Sequence, residues 1–298
     1  MGSPNTKWQQ GFEPGRGIKV MRFVSNLILI VLRINGKSRW SNEFTQAINP
    51  WITVHIPGFE NLKVKPKLWF RTGHGRLFWR AKETPSLSPL TNKWISLFSN
   101  SDVFYDIGAN VGLFALMAAK FVDSKVIAVE IDLMNTRILY ENVYMNNCQD
   151  NVTILPLGLD STTHQETLFL KSMSYGDALH NLREVSPHIR KPEAIKFNVP
   201  VFSLDDLILA LKLPAPTKLK IDVDGAEIEI LRGALRSLDS VSAIIVEYKL
   251  DSKERDDIHQ LLKDCGFDFD FDSDEEHPGG CVDGFFSKEN SNCQILAS

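Results

Sequence analysis

The segment Val103 to Gly112, VFYDIGANVG, constrains the fold of this chain more than any other. Its first three residues are apolar and fit a strand buried on both faces, while Gly108 and Gly112 fit a tight turn from that strand into a helix. The apolar stretch from Leu113 to Phe121 would continue as that helix. A strand, a glycine-containing turn and a helix in this order are typical of nucleotide-binding α/β folds, in which the ligand lies against the turn.

Asp106, which precedes the glycines, distinguishes this turn from the dinucleotide-binding pattern. The glycines are four residues apart instead of following the order G-x-G-x-x-G, and a carboxylate beside them would repel a pyrophosphate. The same carboxylate would attract the ammonium and sulfonium groups of S-adenosylmethionine. The turn therefore predicts S-adenosylmethionine, and not a nicotinamide dinucleotide, as the cofactor.

A second acid, Glu130, follows the next predicted strand. It lies 24 residues after Asp106, a spacing that fits one crossover helix between two adjacent parallel strands. Both acids would then lie at the same edge of the sheet, where Glu130 can accept hydrogen bonds from the two ribose hydroxyls of adenosine and Ile131 can lie flat against the adenine. In the alternative interpretation Asp106 only caps the helix and Glu130 is an ordinary acid at the end of a strand.

Composition places the chain among globular proteins. It has 298 residues, of which 43% are hydrophobic and 23% charged, enough for one large core and a smaller annex. The net charge is −4, but basic residues predominate over residues 1–100, which could face an anionic substrate, a phosphorylated carrier or a membrane surface, or be a solvated basic face. The four cysteines have neither C-x-x-C spacing nor metal-ligand spacing with the histidines, which favours a reducing, cytoplasmic setting. No metal site is predicted, because the chain lacks a decisive ligand set, although a divalent ion held by Asp222, Asp224 and acceptor oxygens stays open.

The first 100 residues divide into two regions. Residues 1–50 combine a polar leader with an apolar segment, Val20 to Ile34, that is too short and too interrupted to span a bilayer. We expect this segment to be a docked helix or an interfacial anchor, with any peripheral membrane contact made through residues 18–39. Residues 51–100 predict a small annex of β-hairpins, including a strand in LFWR, and a lead-in helix from Leu90 to Phe98.

Residues 101–298 alternate between strands and helices, as an α/β fold with a mostly parallel sheet requires. Seven strands are expected, and the final two should pair antiparallel because a loop joins them. A polar insertion near residues 171–198 is expected to be a lid or substrate loop, and His180 on it is a candidate general base because histidine titrates near neutral pH. The predicted strands are 103–106, 125–130, 152–157, 218–223, 242–247, 266–271 and 283–287.

Charged residues on the fourth of these strands, within KLKIDVDGAE, mark a second candidate site. A central parallel strand is normally apolar, yet Lys220, Asp222 and Asp224 alternate along one face of this one. Buried charges need partners or a chemical role. Asp222 is therefore a candidate general base, and Lys220 could set its ionisation or neutralise an anionic substrate. Alternatively, Asp224 and Glu227 only cap the next helix, while Lys220 and Asp222 neutralise each other.

Six blocks of the sequence, in order, closely resemble those of the FkbM-type methyltransferases: DIGANVG, AVEID, NVTILPLGLD, VPVFSLDDL, LKIDVDGAEIEILRGA and AIIVEY. The resemblance covers about residues 68–287, including RTGHGRLFWR upstream. It implies a class I, Rossmann-like, S-adenosylmethionine-dependent methyltransferase fold, usually one that methylates a hydroxyl of a sugar or small metabolite. Adenine contacts are implied near Ile131 and Asp160, where the family commonly has a proline and a Gly-Asp pair. The other positions implied by the motif are Asp106, Gly108, Asn110, Gly112 and Glu130 for the cofactor, and Asp222 and Glu227 in the IDxxGAE block.

The partners expected from the resemblance are S-adenosylmethionine and a small-molecule or glycan hydroxyl acceptor, with no nucleic acid. Two other functions stay open at this point. The chain could be a non-catalytic scaffold at a membrane surface that has kept the fold, or an NAD-dependent dehydrogenase, which Asp106 and the missing third glycine disfavour.

Overall fold

A computed structural model describes residues 51–59, 66–72, 76–77, 80–81, 88–178, 180–183, 195–273 and 280–288. The leader and the apolar segment predicted within residues 1–50 lie outside the described residues, as do residues 184–194 of the predicted insertion. Within the described ranges, every helix falls short of the length and apolar character needed to cross a bilayer.

Strands and helices alternate along most of the described chain. The strands are β1 (Trp51–His55), β2 (Lys67–Arg71), β3 (Val103–Ile107), β4 (Lys125–Val129), β5 (Val152–Leu155), β6 (Gly158–Leu159), β7 (His164–Leu170), β8 (Asn181–Leu182), β9 (Ile195–Phe202), β10 (Lys218–Ile221), β11 (Ala243–Lys249), β12 (Asp268–Asp272) and β13 (Cys281–Ser287). The helices are α1 (Pro89–Ser96), α2 (Leu113–Met117), α3 (Leu133–Met145), α4 (Leu204–Leu211), α5 (Glu227–Arg232) and α6 (Lys253–Asp264). Helix α2 continues as a π-helical turn, Ala118–Val122, and a 3-10 turn spans Ser237–Ser240.

A seven-stranded sheet forms the centre of the fold, in the order β12-β13-β11-β10-β3-β4-β5. All its neighbouring strands pair in parallel except β13, which is antiparallel to both β11 and β12. This confirms the predicted strands, whose ends differ from the observed ones by one or two residues, and the antiparallel last strand. The strand order reverses between β3 and β10, and in open α/β sheets ligands bind outside the carboxyl ends of the strands at such a point.

Both faces of the central sheet are buried, because alternate side chains of each strand pack into different cores. On one face Phe104 of β3 joins Trp94 of α1 and Phe285 of β13, with ring centroids 5.9 and 6.0 Å from that of Trp94. On the other face Tyr105 packs in a core that includes Ile258 of α6. Since both faces are covered, the edges of the sheet are the places left for a ligand.

A second sheet, in the order β6-β9-β7-β8, follows β5 and was not predicted from the sequence. Strands β7 and β9 pair antiparallel over seven residue pairs, yet most of β9 is exposed or half-buried. A half-buried strand carries a weak hydrophobic pattern, which explains why the sequence did not reveal it. Because β9 already begins at Ile195, the predicted insertion is shorter than residues 171–198.

In the annex, β1 and β2 form the predicted antiparallel hairpin, but the predicted strand in LFWR is wrong. Residues 76–77 and 80–81 are helical. Leu77 is buried with Val111 and Ile138, while Arg76 and Arg80, one helical turn apart, both line a cavity at the carboxyl edge of the central sheet. The described residues of this segment thus face two environments, which a local pattern of four residues does not reveal, and Phe78 and Trp79 lie outside the described residues.

The hairpin is joined to the main domain through Asn146 and Asn142, two buried side chains near the end of α3. Asn146 Oδ1 accepts a hydrogen bond from Trp69 N at 2.9 Å, and Asn146 Nδ2 donates to Trp69 O at 2.8 Å. Asn142 accepts from Arg71 N at 2.7 Å and donates to Val111 O at 2.8 Å. These bonds satisfy the outer backbone groups of β2 and fix the hairpin beside the turn after β3.

We expect Asn146→Ala to lower the free energy of unfolding by about 1–3 kcal/mol, because it leaves both backbone groups of Trp69 without their partner. Chemical denaturation measures this change. The exposed Asn198→Ala serves as the control and should cost less than about 0.5 kcal/mol. Equal stability of the two variants would contradict the anchoring role of Asn146.

Candidate functional site

A cavity of about 410 Å³ opens at the carboxyl edge of the central sheet. The turn after β3 contributes residues 108–111, the turn after β4 contributes 130–131, and the turn after β10 contributes 222–226. Its volume lies in the range found for small-molecule sites. The predicted candidate residues Gly108, Asn110, Glu130, Ile131, His180, Lys220 and Asp222 all line it.

The turn after β3 is held by close backbone contacts. Gly108 has φ +81°, and a Cβ atom there would lie 1.8 Å from the carbonyl oxygen of Asp222, so only glycine fits. The amides of Gly108 and Ala109 both donate to Val129 O at 3.0 Å. The turns after β3 and β10 are therefore in direct backbone contact at the base of the cavity.

Glu130 presents a carboxylate to the cavity from the end of β4. Its Oε2 accepts from Asn110 N at 2.7 Å and its Oε1 from Asp132 N at 2.7 Å. Burial raises the pKa of Glu130 to about 7, against the lowering effect of these two donors. Because each carboxylate oxygen can accept a second hydrogen bond, Glu130 can still bind a pair of hydroxyl groups.

Asp106 lies on the strand beside Glu130, as predicted, but its side chain is fully buried and is not part of the cavity wall. Its Oδ2 accepts from Ala115 N of α2 at 3.0 Å, while Oδ1 accepts no hydrogen bond from the described residues. Burial raises the pKa of Asp106 to about 6, and the nearby Lys220 ammonium lowers it. The geometry thus assigns Asp106 to holding α2, and gives no support to its predicted direct contact with a cationic ligand.

Two other predicted cofactor residues, Gly112 and Asp160, also lie outside the cavity wall. Gly112 has φ +89°, and a Cβ atom there would come within 2.2 Å of Leu139 Cδ1, so this glycine serves the packing of α3. Asp160 is fully buried, accepts from Ser161 N at 2.6 Å and forms an ion pair with Arg183. The predicted adenine contact at Asp160 is therefore not supported, because Arg183, distant in sequence, already neutralises the carboxylate.

Asp160, His164 and Glu166 place three potential metal ligands within 4.8 Å of one another. No motif had indicated this group. Arg183 contacts Asp160 and has its Nε 3.4 Å from Glu166 Oε2, so both carboxylates already have a cationic partner. We therefore describe the group as an ion-pair network and assign no metal to it.

Lys220 and Asp222 lie together, as their alternation along β10 indicated. The Lys220 side chain is buried, with Nζ 2.6 Å from Asp222 Oδ2 and 5.0 Å from the ring centroid of Phe114. Burial lowers the pKa of Lys220, but the carboxylates of Asp222, Asp106 and Asp283 outweigh it and raise the pKa above the usual range. Lys220 is therefore a permanent positive charge beneath Asp222, whose side chain is 38% exposed and reaches the cavity.

Glu227 closes the turn after β10 and does not line the cavity. It accepts hydrogen bonds from Val223 N at 3.3 Å and from Gly225 N at 3.0 Å. Sequence analysis left two interpretations of this acidic motif, a role in the site or a role in capping the next helix. The contacts of Glu227 fit the second, because they are made with the backbone of the turn. Asp224, by contrast, lines the cavity.

Sequence reasoning missed two acids of the cavity wall, Glu247 on β11 and Asp283 on β13. They lie directly opposite each other in the antiparallel pair of these strands. Burial, followed by the charge of Asp222, raises the pKa of Glu247 to about 10. An acid at the end of the apolar run AIIVE was the available signal for Glu247, whereas the position of Asp283 depends on strand pairing.

Residues 171–178 and 180–183, which we name the strap, cross the cavity from the turn after β3 to the turn after β10. Near the first turn, Asn110 Nδ2 and Asn135 Nδ2 both donate to Asp177 O at 3.0 Å. Near the second, Asn181 Nδ2 donates to Asp224 O at 2.9 Å. The described part of the predicted insertion thus lies at the ligand edge of the sheet.

His180 lies on the strap with both ring nitrogens facing protein groups. Its Nε2 is 3.1 Å from Asp132 Oδ2, and its Nδ1 accepts from Lys171 N at 3.4 Å. A histidine held in this way is better suited to positioning the strap than to taking a proton from a ligand, although it lines the cavity.

Comparison with known proteins identifies the family that this chain matches. A family model described as the methyltransferase FkbM domain matches residues 106–269, more than half of the chain. The methyltransferase sdnD of Sordaria araneosa is 30% identical, over 58% of this chain and 76% of that protein. The hexuronic acid methyltransferase AglP of Haloferax volcanii is 24% identical, over 57% of this chain and 65% of that protein.

Solved structures with a similar fold include a putative RNA methyltransferase from Pyrococcus horikoshii, with a TM-score of 0.42 and 17% identity over 79% of this chain and 92% of that one. A precorrin-6y C5,15-methyltransferase from Geobacter metallireducens has a TM-score of 0.40 and 16% identity, over 69% and 88% of the two chains.

We expect Asp106→Ala to lower the free energy of unfolding by about 1–3 kcal/mol, because Ala115 N loses its acceptor and Lys220 loses one of its carboxylates. Thermal and chemical unfolding measure this loss. Asp150→Ala, at an exposed position between α3 and β5, is the control. Unchanged stability of Asp106→Ala would contradict the role of Asp106 in holding α2.

Proposed function

The chain belongs to the FkbM methyltransferase domain family and is an S-adenosylmethionine-dependent methyltransferase, and from this we propose that it methylates a hydroxyl group of a sugar, a glycan or a small metabolite. The observation that carries the proposal is one continuous cavity that joins Glu130, beside the glycine turn, to a set of acids at the ends of β10, β11 and β13. The first part suits the adenosine portion of the cofactor and the second suits its cationic end and the acceptor.

The residues at the β4 end of the cavity fit the adenosine group. Glu130 would accept the ribose hydroxyls through the lone pairs that its backbone donors leave free. Ile131, Leu157 and Leu159 line the cavity beside it and provide an apolar surface for adenine. Gly108 and Asn110 would contact the cofactor from the turn after β3. These assignments retain the predicted residues that line the cavity and omit Asp106, Gly112 and Asp160.

When bound, the cofactor supplies an electrophilic methyl group on a positively charged sulfur. The protein must hold the acceptor oxygen in line with that methyl group, and such orientation accounts for much of the rate enhancement in two-substrate reactions. We propose that the Asp222 carboxylate contacts the acceptor hydroxyl and that Lys220 fixes its orientation from below. His180 would position the strap over the bound molecules.

A sugar acceptor is supported by one relative, AglP, which its name describes as acting on a hexuronic acid. The cavity wall also includes the cationic side chains of Arg80 and Lys171, whereas Arg76, which lines it too, is paired with Asp177. A hydroxyl compound with an anionic group would therefore find both a polar acceptor end and compensating charge within one cavity.

The test is a mass-spectrometric screen for methyl transfer. Purified protein and S-adenosylmethionine with an isotopically labelled methyl group are incubated with a panel of sugars, sugar acids and small alcohols. A labelled product that resists mild ester hydrolysis and whose fragment ions place the label on oxygen identifies an O-methyl ether, whereas a labelled methyl ester of a sugar acid would contradict the hydroxyl acceptor. Products labelled only on nitrogen or carbon would contradict the proposed hydroxyl acceptor, as would binding of NAD in preference to S-adenosylmethionine.

We expect Glu130→Ala to weaken S-adenosylmethionine binding at least about tenfold, because two hydroxyl contacts to a buried carboxylate are lost. In the unaltered protein, affinity should rise from about pH 6 to about pH 8, since the Glu130 carboxyl ionises with a pKa of about 7 and its ionised form accepts the hydroxyls best. Glu130→Gln should lose this pH dependence. Calorimetric titrations measure both effects.

Glu141→Gln is the matched control, since Glu141 lies on α3 away from the cavity wall and pairs with Arg71. It should bind the cofactor as the unaltered protein does. Equal affinity of the Glu130 variants and this control would remove Glu130 from the cofactor site.

A further inference from the structure

We propose that Glu247 is the catalytic base of this enzyme, the group that receives the proton which the acceptor hydroxyl loses on methylation. The inference rests on the proposed function, because it requires a hydroxyl acceptor in the cavity. It assigns a role to an acid that lies within the block AIIVEY and within the residues of the family match, neither of which gave it a function.

The position of Glu247 fits this role. It lies near the carboxyl end of β11, the strand that adjoins β10 in the central sheet. Its side chain lines the same cavity as Gly108, Glu130 and Asp222. Because Lys220 pairs with Ile245 and side chains alternate along a strand, Glu247 lies on the same face of the sheet as Lys220. Glu247 therefore borders the cavity from the strand next to the one that precedes Asp222.

Glu247 also differs from the other acids of the cavity in having no partner to hold its carboxyl group. Glu130 accepts two backbone amides, and Asp222 has the Lys220 ammonium at 2.6 Å. Across the described part of the chain, the Glu247 side chain makes no hydrogen bond or ion pair. Because the Asp222 carboxylate is already bound to the Lys220 ammonium, we assign the proton that is released beside these two acids to Glu247.

The electrostatic surroundings of Glu247 favour a proton carrier. Burial and the charges of Asp222, Asp283 and Asp224 raise its pKa, and Lys220 lowers it. The net result is a pKa raised to about 10, so Glu247 is protonated in the free protein at neutral pH. A cation brought into the cavity attracts the carboxylate form and lowers the pKa, so Glu247 would lose its proton when the positively charged methyl donor binds.

With Glu247 as the base, the proton released in the reaction has an acceptor within the cavity. The acceptor oxygen forms its bond to the methyl carbon as the bond from that carbon to sulfur breaks, and the donor leaves as a neutral thioether. The acceptor O–H bond breaks and its proton passes to the Glu247 carboxylate. Loss of the sulfur charge restores the high pKa of Glu247, which retains the proton until product leaves.

The first test measures protons released on cofactor binding, without any acceptor. Calorimetric titrations near about pH 8 in buffers of different ionisation enthalpy should show release of up to about one proton per site with S-adenosylmethionine. S-adenosylhomocysteine, which lacks the sulfonium charge, should release fewer. In Glu247→Gln the difference between the two ligands should disappear. A difference that persists unchanged in Glu247→Gln would overturn the proposal.

The second test measures turnover with an acceptor identified by the mass-spectrometric screen. Glu247→Gln resembles the protonated glutamate of the free protein and should fold normally, which thermal unfolding checks. It should bind S-adenosylmethionine about tenfold more weakly near pH 8, because its side chain cannot ionise when the cation binds. At saturating S-adenosylmethionine it should lower kcat by about 100-fold or more and lose the rise of kcat with increasing pH. Glu229→Gln, on α5 in an ion pair with Arg232, is the control and should keep full activity.

The outcomes separate the two proposals. Full activity of Glu247→Gln toward the acceptor would exclude Glu247 as the base while leaving the proposed function intact. An unaltered protein that binds S-adenosylmethionine but methylates no hydroxyl compound of the panel would overturn both. Activity lost in Glu247→Gln but recovered in Glu247→Asp would support the need for a carboxylate at this position.

Discussion

The contact between the turn after β3 and the turn after β10 organises the whole site. Gly108 approaches the Asp222 carbonyl so closely that a single added carbon would lie 1.8 Å from it. Because the amides of Gly108 and Ala109 both bind Val129 O, this contact also fixes the end of β4. Asn110, in the same turn, then donates to Glu130. The absence of a side chain at Gly108 thus lets the ends of β3, β4 and β10 meet, with Glu130 and Asp222 around a common cavity.

Burial gives chemically similar carboxyl groups different roles. Asp106, with a pKa raised to about 6, has its partner in the backbone of α2 and stabilises the fold. Glu130, with a pKa of about 7, faces the cavity with two backbone donors. Glu247, with a pKa of about 10, makes no hydrogen bond within the described ranges and is influenced by the charges of Asp222, Lys220, Asp283 and Asp224. The buried ammonium of Lys220 compensates part of the negative charge of these carboxyl groups. This pairing explains why a lysine is tolerated in a central strand.

The parts added to the central sheet are those that close the cavity. The second sheet carries the strap across the two turns, and the helical residues Arg76 and Arg80 approach from the annex. The amide side chains of Asn110, Asn135 and Asn181 connect the strap to the core through backbone oxygens. Polar side chains that bind backbone groups over long sequence separations leave little trace in a local pattern.

Local patterns were sufficient for the seven strands of the central sheet, for their mostly parallel arrangement and for the position of Glu130, because strand periodicity and strand-to-helix turns are encoded by neighbouring residues. Local patterns also identified Lys220 and Asp222 as candidate site residues, because charged side chains are exceptional in a central strand. Which acids face the cavity was decided only in three dimensions. Asp106 accepts a hydrogen bond from α2, Asp160 pairs with Arg183, and Asp283 lies opposite Glu247. The surroundings of each acid are formed by segments that are distant in sequence, so a local pattern does not predict them.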